Sequence, residues 1–501
     1  MSQPSTWTKT LVASMTSYID AGSIVAGGAG LALWQAYLGL TDSQVGLVAA
    51  CSSNAMSAAV GALIGGRICD HYGRKFVYTY DLLLYILGML VIIFSSSFPV
   101  LLAGYVIVGL AVGADVVASW TLIAENAPAE NRAKHCGTAQ FMWALGPAVV
   151  LILSAILTFS LSIPEKDKEL KNLSKRSETL TEQLPKTETM PFWILVKDAL
   201  TKAQEPAWIL KETDTPETKK VKEELKQITA EKTSLSKELA EKYLIGNKIV
   251  FGHLVVIAFI VWLIRLRMPE SEGWKKEQEL LTSGAIQKPK YSDLFTIGAN
   301  LKAMTFLIGV YMIWNWAAGT WGFFLPWIFK NAGGVSDTVS QALPVILFIV
   351  SCLSTYFIFM SLADKYNRRI IFGIVALCFV AAWGLFFLPP SMLGVPVFIA
   401  VCVLIGINNG SGQQAFYQMW SSELFPARYR ASAQGFMFFA ARICLGVWSF
   451  FMPIIATRWG MPAAMTFLVC FSAVSMLIGI AFCPNTAGKT LEQIEKERYG
   501  R

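Results

Sequence analysis

Ionisable residues inside long apolar stretches are the first sign of chemistry in this sequence. Asp20, Asp115 and Arg442 each lie in such a stretch. A charge in apolar surroundings is costly, so it commonly faces a cavity or an opposite charge. An acid there can take up and release a proton, whereas an arginine stays charged and its planar group suits a carboxylate. We therefore expect Asp20 and Asp115 to couple protons to the activity, and Arg442 to bind substrate.

Each of these residues also has a simpler interpretation. Asp20 can be a neutral acid that is hydrogen-bonded to a neighbouring helix, and Asp115 can belong to the substrate site or lie near one mouth of the bundle. Arg442 can form a structural ion pair, replace a missing charge partner of an acid, or extend toward the membrane surface. Asp81, near the start of the third apolar stretch, is expected to support the loop motif beside it.

Amides and aromatic rings are concentrated in one short segment. Gln413, Gln414, Tyr417 and Gln418 occupy positions i, i+1, i+4 and i+5. This spacing places them on one broad face of a helix. Amides can bind hydroxyl groups and an aromatic ring can stack on a sugar ring. We therefore expect this face to bind a polar solute.

The chain that must position these residues is apolar over most of its length. It has 501 residues and is 54% hydrophobic but only 15% charged, against about 25% charged in a typical soluble domain. A water-soluble enzyme is therefore excluded. Since roughly 20 apolar residues cross a bilayer as a helix, the sequence predicts an all-α membrane protein. Its twelve predicted transmembrane helices are 11–39, 44–66, 76–97, 99–122, 136–162, 247–267, 302–330, 338–362, 370–389, 393–421, 431–457 and 461–484.

Basic residues predict how these spans are oriented. Residues 163–247 contain 16 basic and 16 acidic residues, and the rest of the chain contains 26 basic residues. With both termini in the cytoplasm, 22 of those 26 lie on the cytoplasmic side, as the positive-inside rule requires. We therefore expect a multi-pass protein of the plasma (inner) membrane, with the neutral segment outside. The net charge then reflects topology and does not indicate a nucleic-acid partner.

The neutral segment is predicted to be an insert between the fifth and sixth spans. Leucines at 170, 173, 180 and 184, and apolar residues at 221, 225, 228, 235 and 239, follow heptad spacing. They predict an external antiparallel helical hairpin, whose apolar middle at 191–210 forms a self-packed cap or a docking patch for a protein partner. The predicted divisions are 1–162 (first five helices), 163–246 (insert), 247–267 (sixth helix), 268–301 (cytoplasmic linker), 302–484 (C-terminal six-helix half) and 485–501 (cytoplasmic tail).

Two loop motifs occur once in each half of the chain. Asp70 and Asp364 are 294 positions apart, and the pattern Glu-x-x-Pro-x-x-x-Arg recurs after 298 positions. This repeat indicates two pseudo-symmetric six-helix halves. The tight loops predict a left-handed backbone at Gly73 and at Asn367. Acid–base pairs in such loops can hold one conformation and break in the other. The expected switch-loop residues are Gly66, Asp70, Gly73, Arg74, Glu125, Arg132, Asp364, Arg368, Glu423 and Arg430.

These motifs resemble those of the major facilitator superfamily, in particular its sugar-porter-like branch. Segments 66–75, 269–274, 423–430 and 484–492 are similar to the signatures after the second, sixth, tenth and twelfth helices, and segment 18–22 is similar to a helix-one motif of proton-coupled members. The resemblance implies alternating access around a central site for a small polar metabolite, often with proton coupling. It also implies that certain spans border the cavity. The candidate substrate-binding residues are Gln35, Gln140, Trp143, Asn315, Trp316, Gln413, Gln414, Tyr417, Gln418 and Arg442.

The sequence departs from the sugar porters at positions that bind a hexose. Tyr105 stands where they have an arginine in helix four, and Asn315, Trp316 and Trp321 align with amides of helix seven. Residues 440–443 are similar to the related organic-ion transporter branch, in which a basic residue near this position favours organic anions.

The predicted function is secondary active transport of a sugar, polyol or sugar-like acid by proton symport. Two alternatives stay open: an organic-anion transporter that uses Arg442, and a nutrient sensor that binds solute without cycling. The sequence has no nucleotide-binding loop, hydrolytic constellation or metal-ligand spacing. We therefore predict no enzyme activity, cofactor or metal, and expect the solute, protons and the lipid bilayer as partners.

Overall fold

The computed structural model describes residues 5–52, 55–184, 209 and 215–500, and these residues form helices joined by short loops. The first group of helices is α1 (Thr6–Leu38), α2 (Asp42–Ala50), α3 (Met56–Tyr72), α4 (Arg74–Ile93), α5 (Phe98–Asn126) and α6 (Arg132–Leu161). The second is α7 (Pro164–Glu182), α8 (Pro216–Arg265), α9 (Glu272–Thr282) and α10 (Asp293–Thr296). The third is α11 (Gly298–Gly333), α12 (Asp337–Ser354), α13 (Met360–Leu362), α14 (Arg368–Gly384), α15 (Val395–Ser411), α16 (Gln413–Glu423), α17 (Ala427–Arg458), α18 (Met461–Phe482) and α19 (Leu491–Tyr499).

Local sequence sets several helix ends. Ser5 caps α1 by accepting a hydrogen bond from the N–H of Thr8, and Thr41 and Gln44 form a reciprocal capping box at α2. Gly39 ends α1 in the left-handed conformation with φ 64°. These short polar and glycine signals separate apolar segments, so each segment becomes a helix with its own direction.

Nine helices in the described part of the chain are long and apolar enough to cross a membrane. They correspond to the predicted third to sixth and eighth to twelfth spans. The predicted first, second and seventh spans coincide with α1, with the pair α2 and α3, and with α11. Helix α2 has 9 residues and α3 has 17, and α1 carries polar residues such as Ser14, Thr16 and Ser17, which are buried inside the bundle. Polar residues that face the interior lower the apolar content of a helix, and they are not exposed to lipid.

Helices pack in matching ways in the two groups that flank the insert. The first group is joined by the apolar end of α8. In it, α1 packs on α5, α6 and α8, and α4 packs on α5 and α8. In the last group α11 packs on α17 and α18, and α14 packs on α15 and α18. Across the groups α3 packs against α17, and α6 against α12. One continuous apolar core includes residues of both groups, so the two sets of helices meet over a buried surface.

The described arms of the insert, α7 and the first part of α8, pack antiparallel. Lys166 pairs with Glu238, and Arg176 pairs with Glu224 at 2.6 Å. Residues further along α7 therefore pair with residues earlier in α8, as in an antiparallel pair. The seam buries the side chains of Leu180, Leu225 and Ile228, with Leu173, Leu184 and Val221 beside them. The predicted boundary at 246/247 lies inside one continuous 50-residue helix, about 75 Å long. The predicted apolar middle at 191–210 lies, except for Ile209, outside the described residues.

Substitution of Leu225 by alanine tests this seam. Leucine-to-alanine changes in packed cores cost about 2–5 kcal/mol, and a two-helix seam should lie at the low end. A loss of about 2 kcal/mol corresponds to roughly 30-fold faster amide exchange in residues 164–182, measured by mass spectrometry. Gln227→Ala, at an exposed position two residues along, should leave exchange unchanged. Equal exchange in both variants would mean that α7 is not held by this seam.

Candidate functional site

The first latch, formed by Asp70, Arg74, Glu125 and Arg430, joins α3, α4 and α5 to α17. Arg74 Nη2 and Arg430 Nη1 each donate to Glu125 Oε1 at 2.7 Å. Asp70 lies 3.4 Å from Arg74 Nη1 and accepts hydrogen bonds from the two backbone N–H groups that follow Arg430. Since Arg430 comes from the last group of helices and the other three residues from the first, the latch ties the two groups together.

The second latch, formed by Asp364, Arg368, Glu423 and Arg132, repeats the same arrangement with the groups exchanged. Arg368 Nη1 and Arg132 Nη1 donate to Glu423 Oε1 at 3.1 and 2.9 Å. Asp364 lies 3.3 Å from Arg368 Nη2 and accepts from the two N–H groups that follow Arg132. Burial raises the pKa of Asp364, and those N–H groups and Arg368 act in the opposite direction. The structure thus brings eight of the predicted switch-loop residues together in two matching sets of four.

Two hydroxyl groups that the sequence analysis did not single out complete the latches. Ser271, just after α8, donates to Glu125 Oε2, and Thr486, just after α18, donates to Glu423 Oε2 at 2.6 Å. Both hydroxyls stand third in a segment that begins with proline, at Pro269 and Pro484. The signal in the sequence is the match of these two segments to each other, because each has a hydroxyl residue two positions after its proline.

Gly73 fulfils its predicted role at the start of α4. Its φ is 98°, a region that side chains disfavour. A Cβ atom at this position would also lie 2.2 Å from Glu270 Oε2. Glu270 accepts the N–H groups of Arg74 and Lys75 at 3.1 and 3.0 Å, which caps α4. Glycine here therefore permits both the turn and the cap.

The predicted left-handed backbone at Asn367 is wrong. Its φ is −61°, and its side chain accepts the N–H of Arg369 at 2.9 Å, so it acts as an ordinary N-cap of α14. The remaining switch-loop residue, Gly66, serves a close helix contact between the two groups of helices. A Cβ atom on Gly66 would lie 2.4 Å from the carbonyl oxygen of Ala431.

A cluster of buried acids surrounds Arg265, the last residue of α8. Arg265 Nη1 lies 3.2 Å from Asp115 and 3.6 Å from Asp81. Asp20 is also buried, and it lies one helical turn beyond Thr16, which accepts a hydrogen bond from Arg265 Nη2 at 3.1 Å. Asp20 Oδ2 has no hydrogen-bond partner among the described residues. The structure therefore brings the two predicted proton-coupling residues, Asp20 and Asp115, into one cluster.

Two predictions about these charges are corrected. Asp81 does not support the neighbouring loop motif, because its carboxyl faces Arg265. Arg442 was considered as a replacement charge partner for an acid, but Asp81 and Asp115 pair with Arg265 instead. The sequence prediction did not single out Arg265, which stands four positions before Pro269. The sequence signal for its role is its position within the predicted sixth span, where a charge is costly.

Aromatic rings from both groups of helices meet around Tyr417 of α16. The rings of Tyr311 and Tyr417 stack in parallel, with centroids 3.8 Å apart, and Trp120 approaches Tyr417 edge-on at 6.1 Å. The next residue, Gln418, is buried, and neither its Oε1 nor its Nε2 has a partner among the described residues. Buried amides without partners are rare and costly. This aromatic and amide cluster can therefore take hydroxyl groups of a ligand.

A helix break at Gly412 lies just before the predicted helix-ten group, which begins at Gln413. Gln413 Oε1 accepts from Asn408 Nδ2 at 2.6 Å, so this side chain belongs to a hydrogen-bonded network within the last group of helices. Gln414 is buried one residue further on. The carbonyl of Asn409, in the last turn of α15, accepts from Gln140 Nε2 of α6 at 2.6 Å. Since carbonyl groups in a last turn lack helical partners, the break provides a contact between the two groups of helices.

The other predicted substrate-binding residues lie on α1, α6, α11 and α17, in varied surroundings. Asn315 is buried and donates to the carbonyl of Tyr311 at 2.9 Å. The ring of Trp316 packs edge-on against Phe471. The buried guanidinium of Arg442 lies 4.8 Å from the ring centroid of Phe438. Gln35 on α1 and Trp143 on α6 are half-buried. No group of side chains suited to holding a metal ion occurs among the described residues.

Comparison with known proteins identifies the architecture. The sequence matches the Major Facilitator Superfamily over residues 10–164 and 247–449. The chain belongs to this family. It is accordingly a multi-pass integral membrane protein and a transporter rather than an enzyme, with the all-α fold that the sequence predicts. The residues between the two matched ranges coincide with the insert.

One sequence relative resembles the chain over nearly its whole length. The minor myo-inositol transporter IolF of Bacillus subtilis (strain 168) is 44% identical over 497 residues, which cover 98% of this chain and 94% of that protein. Such coverage includes the insert. The predicted place in the sugar-porter-like branch of the family is confirmed by this relationship.

Solved structures support the fold. The proton:xylose symporter XylE of E. coli is similar with a TM-score of 0.65 at 18% identity, covering 98% of both chains. The E. coli fucose:proton symporter FucP is similar with a TM-score of 0.63 at 13% identity, covering 94% of this chain and 97% of that one. At these identities the likeness concerns the fold alone.

Substitution of Glu125 by glutamine tests the first latch. The change leaves Arg74 and Arg430 buried without a carboxylate, and losing one partner of a buried pair costs about 3–5 kcal/mol. We therefore expect the two groups of helices to separate more often at this end. Alkylation of the buried native Cys69, which precedes Asp70, should accelerate at least about tenfold, as read by peptide mass spectrometry.

The matched control for this change is Glu130→Gln, which alters an exposed glutamate five residues along the chain. It should not change the alkylation rate of Cys69. If both variants reacted at the wild-type rate, the latch would not hold this conformation closed.

Proposed function

We propose that this protein is a proton symporter of a polyol or sugar, with myo-inositol as the first candidate substrate. The substrate assignment is supported by the extensive identity to IolF, whose name gives myo-inositol as its substrate. The observation that carries the proposal is the buried Gln418 amide, which has no partners among the described residues and follows Tyr417, one of the two stacked tyrosines, in the chain. An inositol ring offers hydroxyl groups for the amide and an apolar face for an aromatic ring.

Proton coupling is proposed for Asp20 and Asp115. Both acids are buried in helices of the membrane body, and Arg265 lies between α1, α4 and α5 as a fixed charge. Ionisable groups in such a position commonly belong to proton pathways. Solute binding and protonation together would favour one conformation, and release on the other side would reset it.

We further propose the orientation and divisions predicted from charge. The chain would have twelve transmembrane helices in two pseudo-symmetric halves, with both termini and both latches on the cytoplasmic side of the plasma membrane. Residues 163–246 would then lie outside, as a helical insert that can present a surface to a protein partner. The latches, formed in the described conformation, would close the cytoplasmic side and break when the site opens inward.

Two other functions remain as alternatives. An organic-anion transporter would use the buried charge of Arg442 near Phe438. A nutrient sensor would bind solute without moving it. Measurement of myo-inositol flux into proteoliposomes separates a transporter from a sensor, because a sensor binds solute yet gives no flux.

Substitution of Asp20 by asparagine tests the coupling. The variant cannot exchange a proton at this position, so the accumulation ratio of solute driven by a proton gradient should fall to about one. Exchange of labelled for unlabelled solute should persist, because it needs no net proton movement. Asp167→Asn, in the insert, should accumulate solute like the wild type. Undiminished accumulation by the Asp20 variant would remove Asp20 from the mechanism.

Substitution of Gln418 by alanine tests the substrate site. Loss of hydrogen bonds worth about 1–2 kcal/mol should raise the KM for myo-inositol roughly tenfold without lowering the thermal stability of the protein. Gln413→Ala should instead lower stability and leave KM nearly unchanged, since Gln413 bonds within the protein. Arg442→Ala tests the organic-anion alternative. Loss of carboxylate uptake with unchanged inositol uptake would favour that alternative.

A further inference from the structure

Arg265 contacts three different helices of the first group. Its Nη2 donates to Thr16 Oγ1 of α1 at 3.1 Å and to Ser119 Oγ of α5 at 3.3 Å. Its guanidinium lies 4.1 Å from the ring centroid of Tyr78 on α4. Together with the contacts to Asp115 and Asp81, these interactions hold the planar group through its two terminal nitrogen atoms and one face, whereas Nε has no partner among the described residues. Because the side chain is 1% exposed, its charge acts on these neighbours with little screening by water.

The charges around Arg265 do not balance if every acid is ionised. Asp20, Asp81 and Asp115 are all at most 5% exposed, and the cluster contains a single arginine. Three carboxylates and one guanidinium would leave two uncompensated negative charges in an apolar body. Like charges at such short range cannot all remain ionised. The cluster therefore needs bound protons, which its three carboxyl groups share.

We propose that Arg265 is the positioning residue of this shared proton site, and that Asp81 belongs to it together with Asp20 and Asp115. The inference rests on the proposed proton coupling. Arg265 holds one carboxylate of the set ionised, so the exchangeable protons lie on the other carboxyl groups. A proton arriving from outside forms an O–H bond with a carboxylate of the set, and the same bond breaks when water reaches the set from inside. Arg265 itself exchanges no proton.

Other titratable groups facing the set must be counted in its pH response. They are Tyr78 and Tyr85 from α4 and, next to Tyr78, Cys69 from α3. Arg265 is the cation within ion-pair distance of Asp81 and Asp115 in the described part of the chain. Removal of its charge should therefore change how tightly the whole set holds protons.

Substitution of Arg265 by glutamine tests the proposal in proteoliposomes. Without the positive charge the acids should retain protons to higher pH, so the pH of half-maximal proton-driven inositol uptake should rise by about one unit or more. Accumulation should fall, whereas solute exchange should remain and report a folded, binding-competent protein. Arg267→Gln is the matched control, because this arginine is exposed two residues along and its loss should move neither measurement.

Two further variants separate a charge effect from a packing effect. Asp115→Asn added to Arg265→Gln removes one negative charge and should return the pH profile toward that of the wild type. Arg265→Lys keeps the charge but not the planar hydrogen bonds, and it should shift the profile less than glutamine does. Both also give a readout if the Arg265→Gln protein alone fails to fold. If Arg265→Lys shifted the pH profile as far as glutamine does and the double variant did not return it, Arg265 would have only a packing role and the proposal would be overturned.

The outcomes also separate this inference from the proposed function. A wild-type protein that never accumulates inositol against its gradient would overturn the proposed symport and this inference with it. A coupled wild type whose Arg265→Gln variant keeps the same pH profile and accumulation would overturn the inference alone.

Discussion

The cost of burying a charge without a partner governs this structure. Arg74, Arg132, Arg265 and Arg368 have side chains at most 2% exposed, and each has carboxylates within ion-pair distance. An arginine cannot lose its charge in a protein, so its position dictates where acids must lie. Within the latches those acids come partly from the other group of helices. The way the two groups meet is therefore determined by pairing as much as by apolar contact.

The internal repeat gives the two latches the same arrangement of charged groups. Each latch places one glutamate between an arginine of its own group and an arginine of the other, and each glutamate receives a hydroxyl from just beyond a transmembrane helix. Each aspartate also accepts hydrogen bonds from N–H groups near the start of a helix in the opposite group. Since every element of the first latch has a counterpart in the second, loosening one without the other would leave buried charges unpaired on one side.

The parts of the site that follow from sequence are those whose spacing repeats. Asp70 and Asp364 could be matched because both halves keep the same interval between motif residues. Arg265 could not be assigned from spacing, because its partners Asp81 and Asp115 lie on helices more than a hundred residues away. The helical face of Gln413 and Gln418 was predicted for a continuous helix, but the break at Gly412 lies just before it and Gln413 bonds to Asn408. Asn367 differs from Gly73 because its side chain caps a helix, which needs no left-handed backbone.

Helix α5 connects the three parts of the proposed mechanism through its rigidity. Asp115 faces the acid cluster, Trp120 faces the aromatic cluster, and Glu125 holds the first latch. Ten residues separate the first from the last, or about 15 Å of helix. A packed helix of this length moves as one body, so protonation, solute contact and latch pairing cannot change independently along it. Coupling between proton and solute then requires no long-range signal, because a movement of α5 at either cluster also moves Glu125 relative to Arg430.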